Sequence, residues 1–152
     1  MKPWLFLLAF ALPGLSAAAS LQPLNADAVD VLLQPPARGE RFIALWSLDC
    51  AYCEANMQTL ARLQQAHPER IELVTVATDS IAQRDAISAR LDAAGMEQWP
   101  ARAYADTTPD RINYLIDPQW GGEMPRTLVI RADGSRRGLS GALTPEQLAK
   151  LR

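Results

Sequence analysis

An α/β domain, with a central mixed sheet and flanking helices, is the fold class this sequence predicts, and three observations carry it. Two nearly unbroken apolar runs, Phe42 to Leu48 and Ile71 to Ala77, read as strands buried on both faces, the pattern of parallel strands covered by helices. The segment between them, from Cys53 to His67, has helical spacing, so the three form a strand–helix–strand unit whose strands run parallel. Near the C-terminus, Thr127 to Arg131 and Arg137 to Ser140 flank Ala132-Asp133-Gly134-Ser135, and Asp-Gly between two strand-like runs is a strong hairpin signal. Parallel pairing first and antiparallel pairing last make the sheet mixed.

Taken in order, the chain opens on Lys2, an apolar run from Trp4 to Leu12, Pro13-Gly14 and the small residues Ser16 to Ala19. A basic start, a short apolar core and small residues before a cut after Ala19 fit an export signal, whereas a bilayer span needs about 20 apolar residues. The expected organisation is therefore a signal peptide over 1–19 and one exported domain over 20–152. A polar, extended stretch leads through Pro35-Pro36 to Glu40 and the first strand. In the helix that follows, Met57, Leu60, Ala61 and Leu63 or Gln64 share a face, and Pro68 after His67 cannot continue it. Ser80 is placed to cap a helix running to Gly95, with Ile87, Leu91 and Ala94 on its buried stripe. Ala101 to Ala105 reads as a short strand, and Asp110 to Leu115 as a short helix behind Thr108-Pro109. A last helix starts at Thr144-Pro145-Glu146, where Thr144 and Gln147 match a capping box.

Composition narrows the function. With 152 residues, 49% of them apolar, the chain can bury a core of its own without covalent staples. Its 15 Lys and Arg against 17 Asp and Glu leave no basic excess to neutralise phosphates, so nucleic acid is not an expected partner. The 2 cysteines lie three residues apart at Cys50 and Cys53, too close for a bridge that removes much entropy from the unfolded chain. Their chemistry is the more informative property.

Trp46-Ser47-Leu48-Asp49-Cys50-Ala51-Tyr52-Cys53 places a CxxC pair at the turn from a buried strand into an amphipathic helix. Residues i and i+3 in a first helical turn lie on one side, near the Cα separation a disulfide needs, so the pair can open and close without rebuilding the fold. Unpaired N–H groups at a helix start favour a thiolate, most of all on the first cysteine. Cys50 is thus the expected nucleophile and Cys53 the resolving thiol. A metal site is the weaker reading: His67 lies on the same helix about 21 Å beyond Cys53 at 1.5 Å per residue, so it cannot complete a ligand set or form a Cys–His pair. No metal or other cofactor is expected.

The run from Phe42 to Leu60, with Trp46, the CxxC, Met57 and Leu60, resembles the TlpA/ResA-like periplasmic thiol–disulfide oxidoreductases of the thioredoxin fold. A distant second segment, Glu123-Met124-Pro125-Arg126-Thr127 through Asp133-Gly134, is similar to the part of that family in which a cis-proline precedes a strand and hairpin. The resemblance covers most of the chain after Ala19. It implies a thioredoxin-like fold, a cis Met124-Pro125 bond beside the disulfide, and a Met124 backbone that pairs with a substrate strand. Three departures stand out. Asp49 replaces the tryptophan usual before the first cysteine, Ala51-Tyr52 lacks the common proline, and Ala44 stands where classical thioredoxins bury an aspartate.

The smaller expectations follow. Tyr52 either contributes to the substrate surface with Met124 and Pro125 or covers the helix start. Asp49 reads as a helix cap rather than a catalytic acid, and Glu54 as a first-turn acid that favours the helix dipole while competing with a thiolate for the same field. Trp46, Trp99 and Trp120 read as core or rim. The function expected is an exported reductant of client-protein disulfides, monomeric, drawing electrons from a membrane donor. A redox-inactive binding module of the same fold and a Cu(I) carrier are the rivals.

Overall fold

A computed structural model describes residues 20–152. The expected signal peptide, Met1 to Ala19, lies outside them. Six strands form one sheet in the order β1-β4-β3-β2-β5-β6: β1 is Leu21–Leu24, β2 Glu40–Trp46, β3 Ile71–Ser80, β4 Ala101–Tyr104, β5 Arg126–Arg131 and β6 Arg136–Ser140. Pairs within β1, β4, β3 and β2 are parallel, and those of β2 with β5 and of β5 with β6 are antiparallel, so the mixed sheet is observed. The helices are α1 (Val29–Leu32), α2 (Cys53–Ala66), α3 (Arg84–Ala93), α4 (Pro109–Ile116) and α5 (Pro145–Leu151).

Alternation along β2 explains the layers. Phe42, Ala44 and Trp46 enter one core with Met57 and Leu60 of α2, Ile87 and Leu91 of α3 and Leu151 of α5. Ile43 and Leu45 point the other way, into a core with Val29 and Leu32 of α1 and Ile112 and Ile116 of α4. Both faces of β2 are therefore dry, as its unbroken apolar run requires. In α2 the buried positions Cys53, Asn56, Met57, Leu60 and Ala61 follow one helical stripe. Burying Met57 and Leu60 contributes about 1.5–3 kcal/mol each.

Several elements differ from their expected bounds. The stretch before Glu40 is not merely extended: Leu21 and Leu24 are buried on β1, which pairs with β4, and Val29, Leu32 and Leu33 pack on the second core. Two apolar residues separated by Gln22-Pro23 carry too little periodicity to announce a strand, and proline is tolerated here because β1 is an edge. Ser80 caps as expected, its hydroxyl accepting from Ala82 N–H at 3.2 Å, but the first turn it caps is a 3-10 turn, Ile81–Gln83, before α3. β2 stops at Trp46, two residues short, while β3 runs on to Ser80.

The closing hairpin follows its turn residues. Gly134 takes a φ of +83°, and the Ser135 N–H donates to the Asp133 carboxylate at 2.9 Å. The bonds from Ser135, side chain and backbone, hold that carboxyl below its ordinary range. Thr144 accepts from Gln147 N–H at 3.2 Å and starts α5.

Candidate active site

One edge of the sheet gathers the chemistry. β2 ends there at Trp46, opposite Ala77 of β3, and the chain turns through Ser47 to Tyr52 into α2. Because β5 runs antiparallel to β2, with Arg126 opposite Leu45, its beginning arrives at the same edge and brings Met124-Pro125 abreast of Trp46. In open α/β sheets ligands bind at this carboxyl edge.

Cys50 and Cys53 are joined by a disulfide, with their Cα atoms 5.5 Å apart. Two turn hydrogen bonds shape the approach: Cys50 N–H donates to the Ser47 carbonyl at 3.2 Å, and Cys53 N–H to the Cys50 carbonyl at 3.4 Å. Cys53 is buried at 1% exposure among the residues around Trp46 and Met57, whereas Cys50 is half-buried at the rim of that core. Of the two, Cys50 is the more exposed. α2 takes no side-chain cap, since Tyr52 holds the N-cap position without a capping bond. The first-turn N–H groups of this helix, free of a side-chain acceptor, bear on the dithiol.

Asp49 is not the cap it was expected to be. The helix begins at Cys53, which puts the cap position at residue 52, three residues beyond Asp49, and Asp49 is exposed on the loop. Glu54 lies in the first turn as expected, and its Oε1 accepts from Gln58 at 3.3 Å. Tyr52 is 73% exposed between the two cysteines. The Met124-Pro125 bond is cis. Met124 packs against both cores, Pro125 is buried, and the Pro125 carbonyl accepts from Gly141 N–H at 2.8 Å. Neither backbone group of Met124 is hydrogen-bonded to a described residue. His67 is the exposed C-cap of α2, at the end away from the cysteines. Trp46, Trp99 and Trp120 are all buried; Trp99 Nε1 donates to Gln64 at 3.1 Å and Trp120 Nε1 to the Glu123 carbonyl at 2.9 Å.

Solved structures share this fold. A secreted disulfide oxidoreductase of Mycobacterium tuberculosis, homologous to E. coli DsbE, superposes with a TM-score of 0.58 at 19% identity, over 75% of this chain and 81% of its own. The chain has the thioredoxin fold. A thioredoxin-related protein from Neisseria meningitidis serogroup B matches at a TM-score of 0.57 and 20% identity over 75% and 82% of the two chains. StoA from Bacillus subtilis does so at 0.54 and 18% over 77% and 84%. Neither a family model nor a curated protein matches the chain by sequence. The thioredoxin fold thus rests on shape, and the site on two motifs that the shape brings to one edge.

Three further residues support the loop and the helix. Asp79, from the end of β3, accepts the Leu48 N–H at 2.8 Å, and Arg90 of α3 donates to the Leu48 carbonyl at 3.4 Å. Asn56, one turn into α2 and buried, donates to the Gly141 carbonyl at 2.8 Å and accepts the Leu143 N–H at 2.9 Å, fastening the chain that follows β6. A carboxylate at the carboxyl end of a buried strand was the signal for Asp79; Arg90 and Asn56 had none.

Proposed function

We propose that this protein is an exported thiol–disulfide oxidoreductase that works as a reductant of client-protein disulfides. The observation that carries the reading is the Cys50–Cys53 disulfide at the start of α2, with one sulfur-bearing residue at the rim and the other in the core. In the reducing direction, the Cys50 thiolate attacks one sulfur of a client disulfide, forming a Cys50–client disulfide and releasing a client thiolate. The Cys53 thiolate then attacks the Cys50 sulfur, closing the internal disulfide and expelling the second client thiolate. The client gains two electrons and two protons, and a dithiol donor at the membrane restores the protein.

Tyr52, Met124 and Pro125 form the client-binding surface in this reading. The support is the exposed Tyr52 ring and the unpaired Met124 backbone, which offers a donor and an acceptor to an extended client segment. The reducing direction draws support from charge. Asp49 precedes Cys50 and Glu54 follows Cys53, and carboxylates near a thiolate raise its cost. A costly thiolate lowers the potential, because strong oxidants of this chemistry owe theirs to a stable reduced form. Export, periplasmic residence and a monomeric state complete the proposal, with the composition of Met1–Ala19 as the support for export.

Equilibration of the purified protein with glutathione buffers tests the whole. A potential below about −200 mV is expected; one near −120 mV would reverse the direction of electron flow. A dithiol that never exchanges would return the protein to a binding role, and stoichiometric Cu(I) retention to metal delivery. Intact mass of the exported protein should begin at Ser20.

A further inference from the structure

The loop that carries Cys50 is gripped at one residue, Leu48, from two elements. Leu48 N–H donates to Asp79 Oδ2 at 2.8 Å, and the Leu48 carbonyl accepts from Arg90 Nη2 at 3.4 Å. Just upstream, the Trp46 carbonyl accepts from Thr78 Oγ1 at 3.4 Å. The length of β3 makes this possible. Trp46, the last residue of β2, pairs with Ala77, so Thr78 and Asp79 overshoot it, and the β3–β4 register shifts between Ala77 and Ser80. Released from the ladder, these two side chains hold the loop where strand pairing has ended.

The choice of a charged acceptor and a charged donor is informative. Geometry alone would be served by a neutral amide on each side. Neither Asp79 nor Arg90 belongs to an ion pair within 4.0 Å among the described residues, and each side chain has its one hydrogen bond there to Leu48. A charge-assisted bond at the 2.8 Å of the Asp79 contact is about twice as strong as a neutral one, and the Arg90 contact at 3.4 Å is the weaker of the two. Two Cα steps of 3.8 Å separate Leu48 from Cys50, which keeps the Asp79 carboxylate within roughly 12 Å of Cys50. Other charged or titratable groups near the dithiol are Asp49 and Tyr52, both exposed on the loop, Glu54, turned to Gln58, and the exposed Glu123 beside Met124.

We propose that Asp79 and Arg90 are opposed positioning residues for Cys50: together they fix the loop through Leu48, and their charges pull in opposite directions on how readily Cys50 becomes a thiolate. This inference rests on the oxidoreductase reading and deepens it. One unit charge at about 12 Å, at an effective dielectric of about 40–80, changes the thiolate equilibrium about two- to threefold.

The test is the pH profile of Cys50 alkylation by iodoacetamide in the dithiothreitol-reduced mature protein, followed by mass. Asp79→Asn keeps an oxygen acceptor for Leu48 and removes only the charge. It should move the midpoint to lower pH, with an about two- to threefold larger thiolate fraction on the rising limb. Arg90→Gln should move it the other way. Glu72→Gln, the same charge change at the far end of β3, should leave the midpoint in place. An unmoved Asp79→Asn profile, or shifts of one sign in both variants, overturns the inference while a reducible, exchanging wild type keeps the oxidoreductase reading. A wild-type disulfide that resists dithiothreitol overturns both. Should Arg90→Gln fail to fold, Arg90→Lys, with the charge restored, is expected to rescue folding and keep the wild-type midpoint; a Lys variant shifted upward would also overturn it.

Discussion

Asp117, at the end of α4, is ion-paired with Arg126, the residue directly after the cis-proline. Their side chains are only 14% and 12% exposed, and Arg126 also donates to Ser140 Oγ at 3.1 Å. The pair closes the base of the segment 117–126, within which Trp120 Nε1 is bonded to the Glu123 carbonyl. The loop that presents Met124 and Pro125 is thereby held at its two ends.

Breaking this pair one partner at a time strands a buried charge. Asp117→Leu should lower unfolding stability by about 3–5 kcal/mol in urea titrations, and adding Arg126→Met should restore a large part of it. A loss well under 1 kcal/mol would mean that solvent reaches the guanidinium.

Roles at the dithiol are separable by trapping. Cys53→Ala leaves the mixed disulfide unresolved and should accumulate covalent adducts with client proteins on non-reducing gels; Cys50→Ala should not. Equal trapping by both variants would reject the assignment of attack to Cys50.

Asn56 joins α2 to the chain between β6 and α5 through two bonds at 2.8 and 2.9 Å. Asn56→Leu leaves the Leu143 N–H without its acceptor and should cost about 1–3 kcal/mol by urea titration. Neither bond involves a cysteine, so the loss should appear in the oxidised and the reduced protein alike.

Burial pushes the Tyr104 phenol well above its ordinary range, while its hydroxyl donates to Asn113 Oδ1 at 2.6 Å. An unfolded chain releases that proton near pH 10, the folded one at higher pH. The contribution to stability is therefore fully present below about pH 10 and is lost as pH rises toward the folded value. Urea midpoints should fall above pH 10, and Tyr104→Phe should flatten that slope. An identical slope in the variant would assign the alkaline loss to other groups.

Much of this was written locally in the chain. Continuous apolar runs declared β2 and β3, helical spacing declared α2, and Asp133-Gly134 with Thr144 declared the closing hairpin and helix, since each is decided by neighbours within about ten residues. Cys50 and Cys53 were legible for the same reason: i,i+3 spacing at a strand-to-helix turn fixes their proximity without the rest of the fold. β1 was not, because Leu21 and Leu24 become a strand only when β4 stands beside them.

What the tertiary structure alone decided is the company the cysteines keep. The antiparallel entry of β5 brings Met124-Pro125 to Trp46 across a large sequence gap, and the overshoot of β3 sets Asp79 under Leu48. Asp117 and Arg126 likewise meet only because α4 ends where β5 begins. Single polar residues carry no period, so nothing along the chain marks which acid will find which backbone group or guanidinium. The sheet's strand order makes that choice, through the burial energy of apolar residues that lie elsewhere.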